Sequence, residues 1–389
     1  MFEMDEATLT SMGAQITTKE IMQQPDLWED TLKIYEDNLE AIQEFLAKAR
    51  ALGGARRTRV IFCGAGTSAY VGDTLVPYLC RVGDNEAFEF APVATTDVVC
   101  APLDYVRPED PTVMVSFARS GTSPESMAAY ERVGQVAKDL LYLNVTCAPE
   151  GRLAQESKDD ERAFTLLIPR ANDKGFAMTG SYSCMLLLSA LIFDQASIED
   201  KRTWVARAAQ MGRNVIAREP EVKAWLDRDF DRVTYLGSAS FSGLAREAQL
   251  KILELCAGRI ATSFDSSMGY RHGPKSFVDD RTLVFDFVSN DPYTRQYDLD
   301  ILNEIKGDEI AMATVGVQQR TGSDFEGENF SFDGDGLLPE AYLALPYVMF
   351  AQTVAINASI KVGNTPDTPS PTGTVNRVVK GVTIHPFSL

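Results

Sequence analysis

Glu247, Lys251 and Glu254 stand at i, i+4 and i+7 within the stretch Ser242 to Leu255, so on a helix they project from one stripe. Leu244, Ala245, Ala248, Leu250, Ile252, Leu253 and Leu255 cover most of the remaining circumference. Such a helix is mostly buried, and its charged stripe faces something other than open solvent. Beyond it comes His272, one of only 2 histidines, in Tyr-Arg-His-Gly-Pro-Lys. Carboxylate, ammonium and imidazole around one cleft can move protons. The plain alternative is a Glu247–Lys251 surface pair, contributing about 0.2–0.5 kcal/mol.

Two further segments could hold an anion. Cys63-Gly-Ala-Gly-Thr67-Ser68 follows an apolar run and opens a helix-length stretch. Phe117-Ala-Arg119-Ser120-Gly-Thr122-Ser123-Pro124-Glu125 does the same, with Ser123 as N-cap and Pro124 at the first helical position. Glycines let backbone approach an anion, hydroxyls donate hydrogen bonds, and a helix start offers unpaired N–H groups. Arg119 adds a charged donor. Gly64-x-Gly66 is followed by Ala69 where a dinucleotide fingerprint has its third glycine, and no Gly-Lys-Ser/Thr follows, so neither nicotinamide cofactor nor Walker-type site is expected. The chain has no H-E-x-x-H motif and no Cys/His ligand set. No cofactor and no metal are expected.

These residues need a scaffold, and the chain reads as α/β. Residues 17 to 50 look helical, with Thr17 and Glu20 as a capping box, Ile34, Leu39, Ile42, Phe45 and Leu46 on one stripe, and Gly53-Gly54 as the stop. Strands are predicted at Val60–Phe62, Val113–Val115 and Leu140–Val145, alternating with helix-length stretches, the rhythm of a parallel sheet with crossover helices. The order repeats. Val60-Ile-Phe-Cys-Gly-Ala-Gly-Thr-Ser68 has a counterpart in Val233-Thr-Tyr-Leu-Gly-Ser-Ala-Ser240, and Val113 to Ser120 a weaker one in Leu283 to Asn290. Two copies of one αβα unit, joined near residues 205 to 230, are expected.

Composition bounds the partners. The 389 residues carry a net charge of −18, with 45% hydrophobic and 24% charged residues. That balance fits a soluble globular protein and argues against binding nucleic acid or anionic membranes. The 6 cysteines lack a C-x-x-C pair, and Cys63 and Cys100 sit in apolar segments where a thiol packs like a small hydrophobe. A reducing compartment follows, and with the acidic N-terminus it points to the cytoplasm. Tyr342 to Ile360 is long and apolar, but Pro346, Gln352 and Asn357 interrupt it, so it reads as a core helix.

Together these segments resemble the sugar isomerase (SIS) family. Gly-Ala-Gly-Thr-Ser68 and Ser-Phe-Ala-Arg-Ser-Gly-Thr-Ser123 resemble its phosphate loops. Arg246-Glu-Ala-x-Leu-Lys251-x-x-Glu254 with Arg271-His-Gly-Pro-Lys275 resembles the catalytic region of the isomerase half of glucosamine-6-phosphate synthase. Asn172-Asp-Lys-Gly-Phe-Ala-Met-Thr, Asn290-Asp-Pro-Tyr-Thr-Arg-Gln-Tyr-Asp-Leu-Asp and Gly363-Asn-Thr-Pro-Asp-Thr-Pro-Ser are similar to the AgaS-type branch of galactosamine-6-phosphate deaminase/isomerases. The resemblance implies two tandem SIS domains, over residues 51–215 and 216–389, after a helical extension over 1–50. It implies that Ser68, Arg119, Ser120 and Ser123 hold a sugar phosphate, that Glu254 takes the C2 proton, and that His272 serves ring opening. Glu247 and Lys251 would shape the same pocket. It also implies a homodimer or larger assembly, with the histidine loop able to serve a neighbouring subunit.

One departure stands out. The synthase has a lysine in its tail motif where this chain has Thr374-Val-Asn376-Arg377; Asn376 and Arg377 are candidate tail contacts, with Lys380 an alternative. No glutaminase domain precedes residue 50, so glutamine-dependent amination is not expected. The expected reaction is conversion of galactosamine 6-phosphate to tagatose 6-phosphate with release of ammonia through an enolamine. Plain aldose–ketose isomerisation of a hexose phosphate and a non-catalytic sugar-phosphate sensor are the alternatives. His385 reads as a surface residue.

Overall fold

The computed structural model describes residues 1–334, 336–379 and 381–389. Among these residues two five-stranded sheets carry the chain. The first holds β1 (Thr58–Cys63), β2 (Phe88–Pro92), β3 (Thr112–Ala118), β4 (Leu140–Thr146) and β5 (Ala163–Leu167), in the order β2-β1-β3-β4-β5. The second holds β6 (Arg232–Gly237), β7 (Ala261–Asp265), β8 (Thr282–Phe287), β9 (Ala313–Gln319) and β10 (Glu328–Phe332), in the order β7-β6-β8-β9-β10. All pairings are parallel. Counted within each sheet, both orders run second, first, third, fourth, fifth. The repeat expected from the sequence is therefore a repeat of topology.

The central strands are largely apolar, as expected of a parallel sheet packed between helices. Every residue of β3, β8 and β9 is buried. The predicted strands at Val60, Val113 and Leu140 became β1, β3 and β4; the shorter strands β2, β5, β7 and β10 carry weaker patterns. Helix Gly180–Phe193 is apolar all round and wholly buried, packing on helix Thr67–Val82 of the first-sheet unit. Helix Glu340–Lys361 packs on helix Ser240–Leu255 in the second-sheet unit. It is long and apolar enough to cross a membrane, yet 94% of its apolar window is buried, so it is the core helix its sequence indicated.

Two compact units result, and neither is continuous in sequence. One gathers Leu27–Asp173, Gly180–Arg202 and Val375–Leu389 with the first sheet. The other gathers Met1–Asp26, Lys174–Thr179 and Thr203–Thr374 with the second.

Two expectations need correction. The region from 17 to 50 is helical, in the pieces Gln15–Met22, Gln24–Asp37 and Leu39–Gly53 with Gly54 at φ 58 as the stop, but Thr17 and Glu20 form no capping box. The helix begins at Gln15, and Asp367 does the capping from far along the chain. Its carboxylate accepts from the Ile16 and Thr17 backbone N–H groups at 3.0 and 2.8 Å and from the Thr17 hydroxyl at 2.7 Å. Glu20 is buried and accepts from the backbone N–H groups of Lys174 and Gly175. A remote carboxylate can satisfy the same orphan donors as a local cap, and local pattern cannot reveal it. The second correction is Cys100, which is exposed, unlike buried Cys63. It ends helix Thr95–Cys100, and the buried Val98 two positions earlier lies on the opposite side of the turn.

Candidate active site

In the first-sheet unit the strand-to-helix turns after β1 and β3 lie at the carboxyl ends of neighbouring strands, where open α/β sheets bind ligands. After β1 the chain turns sharply at Gly64, where a Cβ would sit 2.3 Å from the Ser68 carbonyl carbon. Gly66, at φ 57, opens helix Thr67–Val82, and Thr67 and Ser68 are both buried at its start. After β3, Gly121 adopts φ 62 and Ser123 caps helix Pro124–Val136, its hydroxyl accepting from the Ser126 N–H at 3.2 Å. The cap and the N1 proline are as the sequence indicated. Between them, Ser120 Oγ accepts from the Thr122 N–H and hydroxyl at 3.4 and 3.2 Å, while Thr122 itself is exposed.

Arg119 is buried beside this turn and donates to the Arg377 carbonyl at 2.8 Å. The Arg377 guanidinium in turn donates to Asn172 Oδ1 at 3.3 Å and to the Asp173 carbonyl. The tail segment thus reaches the second turn through its backbone, a contact that residue types alone did not reveal. Asn376 is exposed. Lys380 lies outside the described residues. His385 is exposed, as expected, and its carbonyl accepts from Arg132 at 2.8 Å.

In the second-sheet unit helix Ser240–Leu255 follows β6. Its side chains Glu247 and Lys251 are fully buried, and Glu254 retains 24% exposure. Lys251 Nζ donates to Glu254 Oε2 at 2.6 Å and lies 3.4 Å from Glu247 Oε1. The surface-pair alternative therefore fails. Burial alone would lower the Lys251 pKa, but the Glu247 and Glu254 charges and their hydrogen bonds outweigh it, and the ammonium is held above its usual range. A cation between two carboxylates, one sealed and one reachable, leaves Glu254 as the accessible acceptor.

His272 is exposed and ends the short 3₁₀ turn Gly269–Arg271. Its flanks are pinned to helix Pro292–Asp308: Arg271 and Lys275 bond Glu304 at 2.6 and 2.5 Å, and Lys275 also bonds Asp308 at 2.9 Å. The structure thus joins Glu247, Lys251 and Glu254 in one cluster and sets His272 on a separately braced loop.

Sequence reasoning missed one feature of this unit. Asp286 in β8 and Asp298 in helix Pro292–Asp308 are buried and ringed by Ser238, Ser267 and Ser289. The available signal was a lone carboxylate inside the apolar run Leu283-Val-Phe-Asp-Phe287.

With two parallel sheets of matching order and hydroxyl-rich turns at their carboxyl ends, the molecule has the fold of the phosphosugar isomerases. A tagatose-6-phosphate ketose/aldose isomerase from Escherichia coli superimposes with a TM-score of 0.87 at 35% identity, covering 99% of each chain. No family model matches the chain. The sequence is 40% identical over 385 residues to the D-galactosamine-6-phosphate deaminase AgaS of Escherichia coli, covering 95% of this chain and 96% of the relative. It is 42% identical over 371 residues to an AgaS protein of Streptomyces coelicolor, covering 95% of each. The chain belongs to the AgaS family of SIS-fold amino-sugar-phosphate enzymes.

Proposed function

We propose that the protein converts galactosamine 6-phosphate and water into tagatose 6-phosphate and ammonia. The observation that carries this reading is the Glu247–Lys251–Glu254 cluster: a sealed ion pair holding one accessible carboxylate in a chain of the AgaS family.

The substrate phosphate is assigned to the turns bearing Thr67, Ser68, Ser120, Thr122 and Ser123, with Arg119 supplying charge. Anchoring the phosphate positions the far end of an open-chain sugar, and well-oriented groups can remove several kcal/mol from a barrier (about 7–11 at the limit). Glu254 takes the proton from C2, and the electron pair moves toward C1 and its oxygen. The product of that step is an enolamine. The Lys251 ammonium offsets the charge that develops, the kind of preorganised stabilisation that usually contributes most. The Glu254 carboxyl, exposed enough to exchange its proton with solvent, then protonates C1, leaving an imine at C2. Water adds there, and the carbinolamine expels ammonia to give the ketose. His272 is assigned the proton transfer that opens the sugar ring. Asn376 and Arg377 are assigned contacts near the phosphate turn. A homo-oligomer and a cytoplasmic setting, with all six cysteines free thiols, complete the proposal; light scattering after gel filtration tests the assembly.

A second reading, plain aldose–ketose isomerisation, has the name of the Escherichia coli structure in its favour. One assay separates them. Purified protein is given galactosamine 6-phosphate, glucosamine 6-phosphate and a non-amino hexose 6-phosphate, and ammonium and ketose are measured. Ammonium matching ketose from galactosamine 6-phosphate is expected. Ketose formed only from the non-amino sugar would overturn the proposal.

A further inference from the structure

The two sheets repeat down to their turns. Gly237 at the end of β6 matches Gly64 just past β1: a Cβ at Gly237 would meet Phe241 Cβ at 2.6 Å, as one at Gly64 would meet Ser68 four residues on. Ala239, at φ 51 and ψ −117, opens its helix as Gly66 does at φ 57 and ψ −131. A non-glycine residue in that conformation is strained, by about 1–3 kcal/mol, and persists only where its surroundings hold it. Ser289 follows β8 by the same two positions as Ser120 follows β3. The second sheet thus has the same pair of turns that in the first sheet is assigned to the phosphate.

Here the space between those turns is already filled. The Asp298 carboxylate accepts from Ser238 Oγ at 2.5 Å on the turn after β6 and from the Ser289 N–H at 2.9 Å on the turn after β8. It also accepts from Ser267 Oγ at 2.6 Å, on the segment between β7 and the His272 turn. Ser267 lies 3.3 Å from Asp286 Oδ2 as well. A hydroxyl has one proton to donate, so two charged carboxylates cannot both be served by Ser267. A protonated Asp286 Oδ2 donating to Ser267, which donates to an ionised Asp298, accounts for the single Ser267 proton and leaves Asp286 Oδ1 buried without a partner.

We propose that Asp298 is a built-in anion, standing in the second sheet where the first sheet takes its ligand's phosphate, and that it is a positioning residue for the proton-transfer groups. Its three partners tie together the start of the helix that carries Glu247, Lys251 and Glu254, the segment leading to His272, and the end of β8. Asp286 from β8, Arg295 on the same helix, Glu340 through Ser289, and Tyr347 are the ionisable groups around it.

The test uses Asp298→Asn, which keeps the shape and removes the charge, with Ser267→Ala as the second variant should the first fail to fold. Hydrogen–deuterium exchange is read by mass spectrometry in the whole protein. Faster exchange in 238–247 and 265–273, with 64–70 and 119–126 unchanged, is expected. No change in either region, or a uniform rise across both sheets, would overturn the proposal. The kinetic arm rests on the proposed deamination: kcat should fall by about 100-fold with KM for galactosamine 6-phosphate within twofold, roughly, of wild type. An unchanged kcat, or a loss confined to KM, counts against positioning. A wild-type protein that releases no ammonium would sink the functional reading alone, since the exchange pattern still decides the role of Asp298.

Discussion

Replacing Lys251 by methionine keeps the stem's bulk and deletes an ammonium that lies 3.4 Å from Glu247 and 2.6 Å from Glu254. Were the pair exposed, the loss would be a few tenths of a kcal/mol. The side chains of Glu247 and Lys251 have no exposure at all, and removing one partner of a buried pair costs about 3–5 kcal/mol because the other charge stays buried. For a unit of this size each kcal/mol moves the midpoint by about 2–4 °C, so the second-sheet transition should fall by about 6–20 °C. Differential scanning calorimetry measures it, and Trp204 and Trp225, both in that unit, report it by fluorescence. Adding Glu247→Gln removes the stranded charge and should restore at least about 2 kcal/mol, a non-additivity expected of groups in contact. Because the folded-state pKa of Lys251 is raised above 10.5, the difference between wild type and variant should hold through neutral pH. It should shrink only as pH climbs beyond the usual lysine range. A midpoint shift below about 2 °C with strict additivity in the double variant would refute the buried-pair argument.

Glu254→Gln should lower kcat by about 10²–10⁴-fold, the range for a positioned base, with KM little changed; steady-state ammonium release measures both. Arg119→Ala should raise KM for the phosphosugar by about 10- to 100-fold, since a charge-assisted hydrogen bond is worth roughly 1.5–3 kcal/mol, and inhibition by inorganic phosphate should weaken in parallel. Ser123→Ala removes the cap on Ser126 and should cost about 1 kcal/mol, seen as a small drop in the first-sheet transition. Asp298 has its pKa raised to about 6, chiefly by burial. Folding therefore makes its ionisation costlier than in the unfolded chain, although it is ionised at neutral pH, and wild-type stability relative to Asp298→Asn should decline as pH rises from about 4 to about 6; urea titrations at spaced pH values check the sign.

The parts of this molecule legible beforehand are those fixed by local pattern. The apolar runs at Val60, Val113 and Leu140 became strands, Ser123-Pro124 became a cap, and the stripe at 247, 251 and 254 became a buried cluster. Each depends on neighbours within a few positions. What escaped depends on distance along the chain. Asp367 caps a helix some 350 residues earlier, and the Arg377 carbonyl takes the guanidinium of Arg119. Asp298 fills a turn begun by Ser238. In all three a carboxylate or carbonyl oxygen satisfies donors some 60 to 350 residues away, and no periodicity announces such a partner. The Thr17–Glu20 pattern illustrates the converse, a local signature that forms no cap because a remote carboxylate holds the helix start.

The central claim, that Glu254 shuttles a carbon-bound proton and the amino group then leaves as ammonia, has one direct measurement. Galactosamine 6-phosphate is turned over in deuterium oxide, and the product is read by NMR alongside an ammonium count. The account predicts one ammonium per tagatose 6-phosphate, deuterium at C1, and both products formed about 10²–10⁴-fold more slowly by Glu254→Gln. Ketose without ammonium, or full turnover by that variant, would contradict it.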